Sequence, residues 1–154
     1  MRTIYSSLVA RLKEKVPALR WIDFDFGQLE QASAGQNPPV AYPCALVSIA
    51  IPRCHDLTET IQTCEARITL RLAFNPLASG RTAANAPGDV REQALSPYDT
   101  IADVYAALQG FENGHFNALS RVSQEKESRN DIFIYRMVFR CEFEDETAKS
   151  EIYT

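Results

Sequence analysis

A chain of 154 residues is long enough to bury a real core and, by the usual prior, makes one domain, here taken as residues 1–154. Its composition, 45% hydrophobic and 23% charged, is ordinary for a globular protein. A net charge of −4, from 20 acidic and 16 basic residues, excludes the basic footprint of a tight nucleic-acid binder. No apolar run approaches the ~20 residues a membrane helix needs, and the N-terminus is amphipathic and interrupted by charges rather than built as a signal peptide, so a cytoplasmic setting is expected.

Ile4, Leu8, Leu12 and Val16 recur at four-residue steps, widened by Tyr5 and Val9. This spacing predicts an amphipathic helix, with Thr3 as its cap, basic residues near its C-terminus and Pro17 as its stop. Arg20 to Phe26 reads as a first strand ending at Gly27. "GQLEQASAGQNPPVAYP" follows as a polar loop. "CALVSIAIPR" is nearly all apolar and predicts a second strand covered on at least one face. Thr58 to Phe74 alternates cleanly. Cys64, Ala66, Ile68, Leu70, Leu72 and Phe74 share one face, and Thr63, Glu65, Arg67, Thr69 and Arg71 the other. The short link "CHDLTE" makes these two strands an antiparallel hairpin.

Residues 75–95 show no sustained period and read as a long loop, of the kind a small domain keeps for a purpose. Ser96 and Pro97 then serve as N-cap and first residue of a second helix. Its stripe is Ile101, Val104, Tyr105, Leu108 and Phe111, and Asn113-Gly114 stops it. Phe116 to Lys126 forms a weakly amphipathic strand and "ESRND" turns the chain. Ile132 to Glu144 closes the domain with Phe133, Tyr135, Met137, Phe139, Cys141 and Phe143 on one face. The order is α-β-β-β-α-β-β. The expected class is α+β: a mixed, mainly antiparallel sheet of about five strands with two helices on one face.

Chemistry is sparse. No nucleophile elbow, phosphate loop, metalloprotease or dinucleotide motif occurs, and both histidines, His55 and His115, fall in predicted turns. Cys44, Cys54, Cys64 and Cys141 match no zinc or redox spacing and read as reduced thiols. The one pattern suggestive of catalysis is "WIDFDF", where a strand would set Asp23 and Asp25 side by side. Paired carboxylates serve general acid/base chemistry, and a hydrolase using this pair would need one of the histidines beside them. Against that, Arg67, Arg71, Arg136 and Arg140 occupy wet strand faces and can neutralise the pair across strands. A solvated or interface-facing charged surface is therefore the stronger reading. No catalytic residue, cofactor or metal is expected.

Four segments, "YSSLVARLKEKVPALRWIDFDFGQLEQ", "YPCALVSI", "YDTIADVYAALQGF" and "YRMVFRCEFEDE", together resemble the tail terminator (tail-completion) proteins of long-tailed phages, as found in prophages. The resemblance lies in element order over nearly the whole chain, not in an invariant signature. It implies a structural virion protein without enzymatic activity. Such a protein forms a ring with copies of itself, typically a hexamer, that caps the tail tube and meets the head-to-tail connector while DNA passes through ungripped. A small tail or connector protein of another kind is the structural alternative, and an adaptor binding peptides at a free sheet edge a further one. The family supplies no site residues. The resemblance makes the two loops candidate assembly contacts, represented by Gly27 and Gln28 in the first and Asn75, Arg81, Asp89 and Arg91 in the second.

Overall fold

The computed structural model describes residues 1–32, 34–75 and 87–149. The chain runs α1 (Arg2–Lys15), β1 (Trp21–Phe24), a 3-10 turn (Gln28–Ala32), β2 (Cys44–Asp56), β3 (Gln62–Phe74), α2 (Gly88–Leu108), β4 (Ser120–Lys126) and β5 (Phe133–Asp145). The five strands make one sheet in the order β1-β2-β3-β5-β4. Only the β1–β2 pair is parallel. The expected class and element order are thus what the chain forms.

The even-numbered residues of β3 and the odd-numbered residues of β5 meet the helices. Leu8 and Leu12 of α1 and Ile101, Val104 and Leu108 of α2 lie in one cluster with Ile68, Leu70, Leu72, Met137 and Phe139, all 3% exposed or less. Helix joins helix through Arg11, whose Nε donates to Ala107 O at 2.9 Å while its guanidinium lies over the Phe111 ring. At the sheet margin Arg121 of β4 covers Tyr105 in the same way, 4.0 Å from the ring centre.

Several boundaries differ from expectation: β2 runs on to Asp56 and not only to Arg53, β3 begins at Gln62 and not at Thr58, and β4 begins at Ser120 and not at Phe116. Three further differences have a local physical cause. α1 begins at Arg2, with Met1 as N-cap and its carbonyl accepting from Tyr5 N–H, so Thr3 sits inside the first turn and caps nothing. β1 stops at Phe24, because the next residues leave the sheet for a crossover. Parallel neighbours cannot be joined by a tight turn and need a dozen or more connecting residues, which is what residues 25–43 supply. α2 begins at Gly88 and not at Ser96. Its buried stripe reaches back through Thr100 and Pro97 to Ala94 at helical spacing, so Pro97 lies within the helix and is itself buried. A proline there forfeits one backbone hydrogen bond. The apolar face it helps to bury, and Asp89 in the first turn where the helix dipole favours an anion, offset that loss. Most of what reads as the second loop's C-terminal part is therefore helix, and residues 76–86 fall outside the described residues.

The crossover also builds something no stripe announced. Its 3-10 turn lies on the sheet face away from the helices and lowers Leu29 onto Cys44, Leu46, Ala73, Ile132 and Ile134, a second, smaller core. Both sheet margins carry irregularities. β2 has a register shift between Ala50 and Arg53, and β4 has one between Arg121 and Ser123. Replacing Leu108, fully buried between helix and sheet, with alanine should cost about 2–5 kcal/mol of unfolding free energy, read by urea denaturation. A cost under about 0.5 kcal/mol, the range of surface substitutions, would contradict the packing of α2 on the sheet.

Candidate functional site

β3 alternates, so Leu70 and Leu72 turn to the helices and Arg71 to the opposite face. Arg71 is 9% exposed, the one charged residue among those described that is buried. Its burial is possible because carboxylates surround it. Glu127, just past β4, takes it bidentately, with Nε donating to Oε1 at 2.7 Å and Nη2 to Oε2 at 2.9 Å. Nη1 lies 3.3 Å from Asp25 Oδ2 and 3.0 Å from Glu30 Oε1. Glu30 reaches on to Arg129, which holds Asp131 at 2.6 Å and 2.8 Å and donates to Leu29 O at 3.0 Å. Two guanidinium groups and four carboxylates thereby fasten the crossover and the β4–β5 turn onto the sheet. The hydrogen bond that Arg71 donates to Glu127, with the charges of Glu127 and Asp25, holds its cation above even the usual guanidinium range against its burial.

This geometry settles what Asp23 and Asp25 do. Asp25 is spent on Arg71 and also accepts from Gly27 N–H at 3.2 Å. Asp23 accepts from the backbone N–H of Phe24 at 2.8 Å. Neither histidine is near. His55 lies nine residues beyond Leu46, the partner of Asp23, roughly 30 Å along β2 at strand rise. His115 sits in the turn before β4, with Asn117 paired to Glu142 at that same far end of the sheet. The chain therefore brings neither aspartate together with either histidine. Burial pushes the thiols of Cys44, Cys64 and Cys141 up to about 11, and among the four cysteines only Cys54 is exposed. No group of three or more potential metal ligands occurs among the described residues.

The candidate assembly contacts fare unequally. Gln28 is 1% exposed. Its side chain donates to Phe24 O at 2.7 Å and accepts from Phe26 N–H at 3.0 Å, so it locks the crossover on itself. Gly27, at φ +95°, makes the turn that lets Asp25 and Gln28 reach their partners, and a side chain there is strained although space is open. Asn75 is exposed at the end of β3, while Asp89 and Arg91 belong to the first turn of α2. Arg81 lies outside the described residues. Beside the crossover, Trp21, Phe24 and Phe26 are exposed, Phe26 by 70%, and Phe24 stacks on Tyr5 at 4.1 Å.

Sequence reasoning passes over Arg71 as a buried centre, and over Glu127, Arg129 and Leu29 altogether. The signal present in the chain is an apolar row on the supposedly wet face, Cys44, Ala73 and Ile134, which the register places side by side. An apolar row with no covering element implies a cover from a loop.

The fold and clasp define a two-layer α+β domain stiffened by buried ion pairs. No protein-family model matches the chain, and no curated protein matches it. Among solved structures it is similar to a chain described as belonging to the virion of a native gene transfer agent particle. Identity is 16%, over 90% of this chain and 84% of that one, with a TM-score of 0.41.

Two consequences can be measured. Arg71→Ala should destabilise the fold by about 3 kcal/mol, the low end for removing one partner of a buried ion pair, because three carboxylates are left facing one another. Arg71→Met should cost less than Arg71→Ala, since it keeps the stem that covers the sheet. The second concerns pH. The Arg129 hydrogen bond holds the Asp131 carboxyl well below the ordinary carboxylate range. Its stabilisation is complete above the unfolded value, about 3.9, and is lost as pH falls through the lower folded value. Urea titrations from pH 7 downward should show stability falling from near pH 4, with a shallower fall in Asp131→Asn. Equal acid slopes would exclude this pair as a source.

Proposed function

We propose that this chain is a structural subunit of a phage-type virion, and specifically a tail terminator that closes into a ring on the end of the tail tube. The observation that carries the reading is the resemblance, since its four sequence segments fall on α1–β1, β2, α2 and β5 of a single layered unit. The separation of Asp23 and Asp25 from both histidines is consistent with a protein that works by contact, without catalysis, cofactor or metal. Its proposed partners are copies of itself, most simply six, together with the tube protein and the head-to-tail connector. It assembles in the cytoplasm and ends in the virion tail, with no membrane step. Among the described residues no helix is long and apolar enough to cross a membrane.

The contacts are assigned to the surface beside the crossover, around Gly27 with Phe24 and Phe26, and to the end of β3 and the start of α2, at Asn75, Asp89 and Arg91. Large exposed aromatics are the side chains that dominate binding when they enter a partner's pocket. DNA passes without being held, because net charge −4 gives it no continuous basic lining.

Purified protein mixed with tail tubes should cap their ends, seen by electron microscopy, and hydrogen exchange should slow at Phe24–Gly27 or at the start of α2 on capping. Phe26→Ala should weaken capping at least tenfold while leaving the urea midpoint unchanged. Tight, salt-sensitive binding to duplex DNA, or tubes that grow past the added protein, would overturn the reading.

A further inference from the structure

Among the described residues, the sheet face away from the helices is covered at one end only. Beyond the Arg71 clasp, β3 and β5 present two rows in which like charges sit directly opposite. Glu65 faces Glu142, and one step along Arg67 faces Arg140. Such cross-strand pairs are unfavourable when nothing compensates them. Among the described residues none of these four side chains takes part in an ion pair, whereas Arg71, two rows further along the same face, has three carboxylates. Arg53 of β2 lies opposite Glu65 on its other side, and the remaining surroundings are low. Ser48 and Ala50 of β2 lie opposite Thr69 and Arg67, and Ser120 and Ser123 of β4 opposite Arg140 and Val138.

We propose that this face is the docking surface for a second copy of the same chain. The partner is argued from charge complementarity. A two-fold axis running across the strands, midway between the two rows, turns the face onto itself. It sets the glutamate row of each copy over the arginine row of the other, Glu65 against Arg67 and Glu142 against Arg140, four ion pairs in all. This is a self-complementary patch of the kind a two-fold dimer requires.

The covered end stands clear of the two charged rows, and the partner's copy of it falls at the β2–β3 hairpin turn. Same-face rows lie roughly 6.8 Å apart, so Arg71 stands about 17 Å from the axis and the partner's clasp comes down beyond the start of β3, past the last paired row. Four rows across four strands bury on the order of 1,000 Å² in total, which places the dimer at the weak end of specific interfaces. Exposed ion pairs are screened by salt, so the association is salt-sensitive. The inference goes beyond the virion reading and does not depend on it.

Sedimentation of the free protein, without tubes, tests it. The wild type should dimerise in 50 mM salt and dissociate in 0.5 M salt. R67E/R140E and E65R/E142R should each be monomeric in both conditions, and an equimolar mixture should associate one to one. The fourfold exchange E65R/R67E/R140E/E142R restores the alternation and should dimerise like the wild type. A wild type that stays monomeric in low salt at high concentration would overturn the proposal. So would folded charge-reversed variants, checked by circular dichroism, that remain monomeric when mixed. If the rows merely satisfy each other within one sheet, the reversals lower thermal stability with no change in mass, which also overturns it.

Discussion

The side chain of Arg71 decides which face of this sheet is open and which is closed. A guanidinium in the middle of a strand would normally be solvated. Here it is stripped of most of its water and recovers the loss through Glu127, Asp25 and Glu30, which arrive from two separate connections. Those connections have little else to hold them. The crossover contributes Leu29 to a small apolar cluster, and the β4–β5 turn contributes Ile132. Without the charges the two segments share only a few contacts with the sheet. With them, β1 is held as a parallel neighbour of β2, and Gln28 can close its own hydrogen bonds in a buried position.

The same clasp makes the two sheet faces unlike in kind. Helices cover one face by area, through leucine, isoleucine and phenylalanine packed at near-zero exposure. The other is covered by directed bonds at one end and, among the described residues, left bare beyond.

The helix-facing core is legible in the sequence because it is periodic. Apart from Val9 and Cys64, which lie outside the main cluster, the stripe residues of α1, β3 and β5 point where their spacing says, since burial on one face leaves no other register open. The second core is not legible in this way. It depends on Leu29, Ala73 and Ile134, which are single residues brought together from three parts of the chain. The start of α2 departs from its sequence signal for a different reason. Proline at position 97 is a strong local sign of a first turn, and tertiary burial of the stripe back to Ala94 overrides it. Of the candidate site, the charged faces and the pairing of an aspartate with an arginine are visible in the alternation. Which arginine, and that the match buries it, requires the crossover. Gln28 shows the same limit: a polar residue in a polar loop gives no sign that both its side-chain groups will be used internally.

The register shifts at Ala50/Arg53 and Arg121/Ser123 bear on how such a protein can be stored and how it can change. Beyond Val47 the outer edge of β2 has no partner strand among the described residues, and the outer edge of β4 has none either. Bare edges invite one copy to extend the sheet of the next into fibres, and a displaced ladder, with Pro52 inside one of the shifts, denies them the regular hydrogen-bonding template. What these shifted margins offer is side chains, which can be exchanged one at a time without disturbing the sheet beneath.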